Sequence, residues 1–493
     1  MSIPTKILEV SGSDWMKGIS IQDEYAIGGA FKSSCTSHDP FDLMGHYRAS
    51  LSSVQVDGAT ITKACHSMVA GVFSGVSYVW LLADRTGTGA NNIFRIKTSD
   101  NSVIAASLTG GNGTGAVTFH GLVFDKFSGN LYFEDVTNGA MYRIGAALTG
   151  EAALPGSING VDTVPIRFHQ GEDGLFYFNK GGSDGKVASV DYGVTTPATF
   201  TVNDSAFQCA LETTVKDITS DGRYLIIAAD KNPTYSDGVN SFCKIYFWDY
   251  DSANADIILD IPDKYLISCR WVDGRLLVIG ASGIWQCGIG TPPRLIFPLT
   301  SVELPVSQNA VTTSGNIMYW TCTSGISKVY AYGAKVGKPI LFAPYISNGS
   351  QYAQLSIIGA GTYFYIGVND GASGGKAYVL NTGLTRDSAT VVTCPTQLPQ
   401  PYRFSHAKVV LKNVLTTGQQ VILTIANSES VAIMAQTTKS FAVDGAKRTF
   451  IFNPSPGTVS ESEDLFLSIS TVGATVSRVT VYGVPIEDNS QIL

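Results

Sequence analysis

Charge is what this chain has least of. Asp, Glu, Lys and Arg together make up 15% of its 493 residues, where a soluble domain ordinarily carries about 25%. No block of Lys or Arg occurs and the formal net charge is −7, so the basic footprint of a nucleic-acid-binding surface is missing. No run of 18 apolar residues is present, and no helical membrane span is expected. The opening MSIPTKILEV lacks the basic-then-apolar pattern of a signal peptide, which points to completion of the chain in the cytoplasm. Helix start and stop signals are almost absent, so very little helix is expected.

Chemistry-bearing motifs are equally scarce. The eight cysteines (Cys35, Cys65, Cys209, Cys243, Cys269, Cys287, Cys322, Cys394) form no C-x-x-C pair and several lie within apolar runs. That spacing speaks against zinc and for buried thiols in strands. G-x-S-x-G occurs around Ser183 and Ser373, but both copies sit in glycine-rich loops leading into strands. A nucleophile elbow needs a strand-to-helix turn, so flexible hairpin loops are expected. P-loop, H-E-x-x-H and dinucleotide-binding strings are missing.

The six histidines are His38, His46, His66, His120, His169 and His406. Only His120 and His169 occupy similar places in the repeat described next, and the expected role of each is a bond to a neighbouring backbone. Asp230 and Asp237 flank the polar loop Lys231-Asn-Pro-Thr-Tyr235-Ser; two carboxylates are few for a calcium site, and a solvated loop is expected. No catalytic, cofactor or metal residue is assigned, no cofactor is expected, and the chain reads as a non-enzyme.

What the chain does have is glycine (51 residues), tyrosine (22) and phenylalanine (23), arranged in a repeat. A turn glycine is followed by an aromatic-rich strand, a gap and a second strand. The glycines are Gly75, Gly129, Gly174, Gly222, Gly274, Gly315 and Gly361, spaced 41 to 54 residues apart. The strands after them include Tyr78-Val-Trp80, Tyr132-Phe133, Phe176-Tyr177-Phe178, Tyr224-Leu-Ile, Leu276-Leu-Val278, Tyr319-Trp320 and Tyr363-Phe364-Tyr365. The second strands include Ile93-Phe-Arg-Ile96, Met141-Tyr-Arg-Ile144, Val187-Ala-Ser-Val190, Lys244-Ile-Tyr-Phe247, Gly283-Ile-Trp285, Lys328-Val-Tyr-Ala331 and Ala377-Tyr-Val-Leu380. A period in the forties with paired strands is that of a four-stranded propeller blade. One such sheet is apolar on both faces and buries them only by stacking blades around an axis.

The expected fold is therefore all-β: an about seven-bladed β-propeller over 53–400, preceded by an irregular arm over 1–52 and followed by a small C-terminal β-sandwich over 401–493. The arm either wraps the propeller, reaches a neighbouring subunit or supplies a closing outer strand. The last boundary is placed at Pro395, Pro399 and Pro401, which interrupt strand pairing. Beyond it, runs such as Ala407–Leu411, Gln420–Ile425, Asp464–Ile469 and Ser477–Tyr482 are short and rich in β-branched residues, as a sandwich requires.

With those residues in view, the chain resembles the nozzle (tail-hub) proteins of short-tailed bacteriophages. Lys17-Gly18-Ile-Ser and Asp39-Pro-Phe-Asp-Leu-Met-Gly45 are similar to openings of phage structural proteins, and Ser477-Arg-Val-Thr-Val-Tyr482-Gly-Val-Pro-Ile-Glu looks like a last strand of phage tail proteins. The resemblance implies a structural subunit of the virion tail, made in the host cytoplasm and assembled into a homo-oligomeric ring. DNA would pass through the ring without specific binding, adaptor, fibres or tailspikes would attach outside, and the chain would not insert into a membrane. Two other readings stand beside it. One is a receptor-binding adhesin on a tail fibre, with Trp15, Tyr235 and Tyr352 as candidate exposed aromatics. The other is a glycan-degrading propeller enzyme.

Overall fold

A computed structural model describes residues 4–11, 14, 53–56, 61, 64–83, 92–108, 119–135, 140–150, 152–157, 166–171, 173–180, 185–191, 201–231, 243–322, 329–333, 340–343, 353–361, 363–369, 375–381, 388–393, 396–427, 429, 431–454 and 461–486. Of these, about 69% lie in strands and 3% in helix. The chain divides into two compact units, one of 53–329 and 345–381, the other of 1–52, 330–344 and 382–493.

Seven four-stranded antiparallel sheets follow one another along the chain. Their first strands are Cys65–Phe73, Phe119–Asp125, Phe168–Gln170, Thr213–Ser220, Leu266–Val272, Val311–Ser314 and Ala353–Ala360. Each packs against the first strand of the next sheet, and the seventh packs against the first. The sheets are thus blades of a seven-bladed β-propeller with these strands innermost. The seventh blade takes its outermost strand from Ser53–Val56, which pairs with Gly375–Asn381. Closure therefore comes from the residues just beyond the expected arm.

The turn glycines sit where the repeat requires them, between the first and second strand of every blade. Gly75, Gly129, Gly174, Gly222, Gly274, Gly315 and Gly361 all have positive φ, from 57° to 94°. In blades one and five the turn is two residues long, Ser74-Gly75 and Asp273-Gly274, with positive φ at both. That is the hairpin whose twist matches the strands it joins. The second strands, aromatic in five blades and aliphatic in blades four and five, are buried: Trp80, Phe133, Phe178, Ile226, Val278, Trp320 and Tyr365 are all fully enclosed. Their rings meet across blade seams, as Tyr319 and Phe364 do at 4.4 Å and Tyr177 and Trp248 at 5.7 Å.

Within the second unit, Thr5–Ser11 and the strands of 388–485 form a β-sandwich around one core that includes Val409, Val421, Leu465, Leu467, Ile469, Val479 and Val481, while 330–333 and 340–343 belong to the sixth propeller sheet. One face joins Thr5–Ser11, Val476–Pro485, the later part of Thr396–Leu411, and Thr449–Phe452; the other joins Ser388–Val392, Glu461–Val472, Gln420–Ala426 and Ala432–Ser440. Two features depart from expectation. Thr5–Ser11, inside the supposed irregular arm, is an edge strand of this sandwich. Pro399 and Pro401 lie inside a strand rather than between domains. Thr396–Leu411 pairs first with Glu461–Val472 and then with Val476–Pro485, and its ladder is irregular between Gln397 and Tyr402. Proline donates no ladder hydrogen bond, so the prolines fall at the corner where the strand passes between faces.

Candidate functional site

The axis of a propeller is where its inner strands converge, and here the inner strands share a local irregularity. Five of them carry a register shift near their start, passing over His66, Gly121, Lys216, Ile267 and Leu355. A bulge of this kind bends a strand and re-aims the side chains that follow. In four blades the next residue is polar and buried: Ser67, Asp217, Ser268 and Ser356.

Asp217 is the centre of the most connected of these positions. Its Oδ1 accepts the Ile218 N–H at 2.9 Å. Its Oδ2 accepts the Ser268 hydroxyl at 2.8 Å, the Cys269 N–H at 2.9 Å and a guanidinium N–H of Arg270. Arg270 turns its other terminal nitrogen to two carbonyls at the start of blade six, Gln308 at 2.7 Å and Val311 at 2.9 Å. Arg167, which precedes the inner strand of blade three, donates to the same two carbonyls at 3.0 and 3.3 Å. Four successive blades, three to six, are thereby tied at the axis by two cations, one carboxylate and two backbone oxygens.

The electrostatics follow from that arrangement. Two guanidiniums against one carboxylate leave one formal positive charge. Burial, then repulsion from Arg270, lowers the Arg167 pKa to about 10, which leaves it charged near neutrality. His169, two residues on, is half-buried; burial first and the Arg167 charge second depress it to about 4, so its imidazole is neutral at ordinary pH. The Cys269 thiol is raised well above its usual range by burial and then by Asp217. A thiol held protonated is a poor nucleophile. The cluster is built for cohesion between blades more than for proton or group transfer.

The residues singled out from sequence are dispersed. His120 and His169 do lie on the inner strands of consecutive blades, paired in backbone register with Glu134 and Tyr177. His66 is at the blade-one bulge, and His406 stacks on Tyr482 in the sandwich at 4.6 Å. Cys65, Cys209, Cys243, Cys269, Cys287 and Cys322 are all buried. Asp230 is a buried strand residue whose Oδ2 accepts the Leu266 N–H at 2.9 Å, joining blade four to blade five. Asp221 accepts the N–H groups of Arg223 and Tyr224 at 2.8 and 2.7 Å within its hairpin. His38, His46, Cys35, Cys394, Ser183, Ser373, Asp237, Trp15, Tyr235 and Tyr352 lie outside the described residues. Among the described residues, no group of three or more His, Cys, Asp or Glu is placed to hold a metal ion. Sequence reading missed Arg167, Asp217 and Arg270; a signal was available only at Arg270, the one charged residue in the largely apolar strand Leu266–Val272, whereas Asp217 sits in a polar strand beside Lys216.

No protein-family model matches the sequence, and no curated protein matches it. Among solved structures, the Dos1 propeller overlaps 67% of this chain and 94% of its own at 10% identity, with a TM-score of 0.46. The RRP9 WD40 repeats overlap 68% and 99% at 9% identity, with a TM-score of 0.47. The Cps50 (Swd1) β-propeller domain of Myceliophteria thermophila overlaps 66% and 99% at 12% identity, with a TM-score of 0.42. All three are similar in outline only, and the propeller assignment rests on the sheet order and the closed ring of inner strands.

Proposed function

We propose that this chain is a structural component of a bacteriophage tail virion, a ring-forming nozzle or hub subunit. The observation that carries this reading is the axial cluster. Asp217 holds Arg270, and Arg270 and Arg167 both donate to the Gln308 and Val311 carbonyls, so these three charged groups are committed to holding blades together. A subunit that bears load in a particle needs that cohesion, whereas an enzyme needs such groups turned toward substrate. The low charge of the chain and exposed apolar side chains such as Phe127, Leu211 and Val443 also suit extensive subunit contacts, whose cores are depleted of charge. In this reading copies of the chain close a ring, DNA passes through the ring without specific contacts, and fibres or an adaptor dock outside.

Mass photometry and negative-stain imaging of the purified full chain test the proposal. Closed rings at micromolar concentration support it. A strictly monomeric species at every accessible concentration, with the chain missing from purified particles, overturns it.

A further inference from the structure

Side-chain hydrogen bonds bridge the seam between blades one and seven. The Tyr365 hydroxyl donates to Asn101 Oδ1 at 2.8 Å, and the Ser356 hydroxyl donates to the Cys65 carbonyl at 2.8 Å. Between the same blades lies a cleft of about 500 Å³. Its lining includes Gly71, Ser77, Tyr78, Thr98, Gly359 and Tyr363. The volume falls in the range of small-molecule sites, roughly 300–1,000 Å³.

The lining has a definite chemistry. Tyr78 and Tyr363 are half-buried and Ser77 is exposed. At Gly71 a Cβ would run into Phe124, and at Gly359 it would press on Ser314 at 3.1 Å, both on other blades; as glycines they present main chain to the cleft. No Asp, Glu, Lys or Arg lines it among the described residues. Tyr78 is held in place: the Arg95 guanidinium lies 4.7 Å over its ring, and the Trp80 ring is 5.7 Å away. Arg95 and Trp80 both donate to the Ala146 carbonyl, at 3.3 and 3.0 Å. Tyr363 sits 6.4 Å from the anchored Tyr365 ring.

Such a surface selects by exclusion as well as attraction. Among the described lining residues an anion finds no cation and a metal ion finds no carboxylate. An ammonium group finds a Tyr78 face that already carries Arg95. A ligand with one apolar face and a rim of neutral hydroxyls matches aromatic rings flanked by hydroxyl and main-chain groups. We propose that this cleft binds a pyranose ring of a neutral glycan. The site lies within the propeller and stands whether or not the chain assembles into rings.

The test applies the fluorescently labelled full chain to an array of neutral and sialylated oligosaccharides, followed by saturation-transfer NMR on the best neutral sugar. The expected result is binding to a neutral oligosaccharide, with saturation on its ring C–H protons. Tyr363→Ala and Ser77→Trp should each weaken it roughly tenfold. The second variant places its bulk at an exposed position and leaves the core intact, so a folding defect in the first does not obscure the outcome. An array silent for neutral sugars overturns the proposal. So does binding undiminished in Ser77→Trp while that variant keeps the wild-type melting temperature.

Discussion

Trp80 lies against Phe124 across the seam between the first two blades, with ring centroids 4.5 Å apart and planes 23° from parallel. Gly71 sits beneath them, where a Cβ would strike the Phe124 ring, and the Trp80 indole N–H is satisfied by the Ala146 carbonyl at 3.0 Å. Truncation here removes a fully buried side chain and leaves a cavity. Trp80→Ala should cost about 3–5 kcal/mol in urea denaturation. Gly71→Val should also destabilise, by crowding rather than by loss. A Gly71→Val protein as stable as wild type would show that this seam yields more readily than close packing allows.

The axial ion cluster predicts a marked asymmetry between single and paired substitutions. Asp217→Ala leaves Arg270 buried without its carboxylate and should cost about 3–5 kcal/mol. Replacing both partners with apolar residues of similar size, Asp217→Leu with Arg270→Met, should cost less than the sum of the single changes. Equilibrium unfolding of Asp217→Leu, Arg270→Met and the double variant measures the coupling. Strict additivity would mean that the pair contributes no specific interaction.

Buried Asp230 and half-buried His169 give stability opposite dependences on pH. Burial raises Asp230 from 3.8 to about 6, against the smaller lowering pull of Lys216. Its folded form prefers the proton, so its contribution is full below pH 3.8 and is lost as pH rises through about 6. His169 is depressed from 6.5 to about 4, so its contribution is present above pH 6.5 and is lost as pH falls through about 4. Melting temperatures measured between about pH 4 and 8 should show Asp230→Asn gaining on wild type as pH rises, and His169→Gln gaining as pH falls. Parallel curves for wild type and Asp230→Asn would contradict the first assignment.

Propeller closure predicts a local defect that spreads from one seam. Val56 is 2% exposed and packs with Ile61, Cys65, Tyr365 and Val379. Val56→Asp puts an unpaired carboxylate in that cluster and should destabilise the propeller by more than about 3 kcal/mol. Hydrogen exchange should quicken first in blades seven and one, while the sandwich strands keep their protection. Uniform acceleration across all seven blades would mean that the ring opens only as a whole.

Much of the fold was legible because turn chemistry is local. Gly75 and Gly274 announce their hairpins from two adjacent residues, and the apolar strands after them follow directly. The axial cluster was not legible, because Arg167, Asp217, Arg270 and Gln308 come from four blades and acquire meaning only once the ring closes. The bulges at Lys216 and Ile267 leave no compositional mark. Pro399 and Pro401 misled for a physical reason: a proline that cannot donate to a ladder marks a domain boundary and a strand corner equally well. Thr5–Ser11 carries too little apolar alternation to reveal that its partner is Val476–Pro485 at the far end of the chain.

That last pairing, with the one between Ser53–Val56 and Gly375–Asn381, has a consequence for biogenesis. Both early segments emerge from the ribosome long before their mates. At about 5–20 residues per second, the wait for the seventh blade lasts roughly 15–60 s and the wait for the final strand longer still. Throughout that interval each segment is a sticky template without its complement, and polysomes bring identical nascent copies close together. Exchange of these strands between neighbouring chains is thus the characteristic hazard of production, and slower initiation or holdase supply should raise the yield of correctly closed molecules.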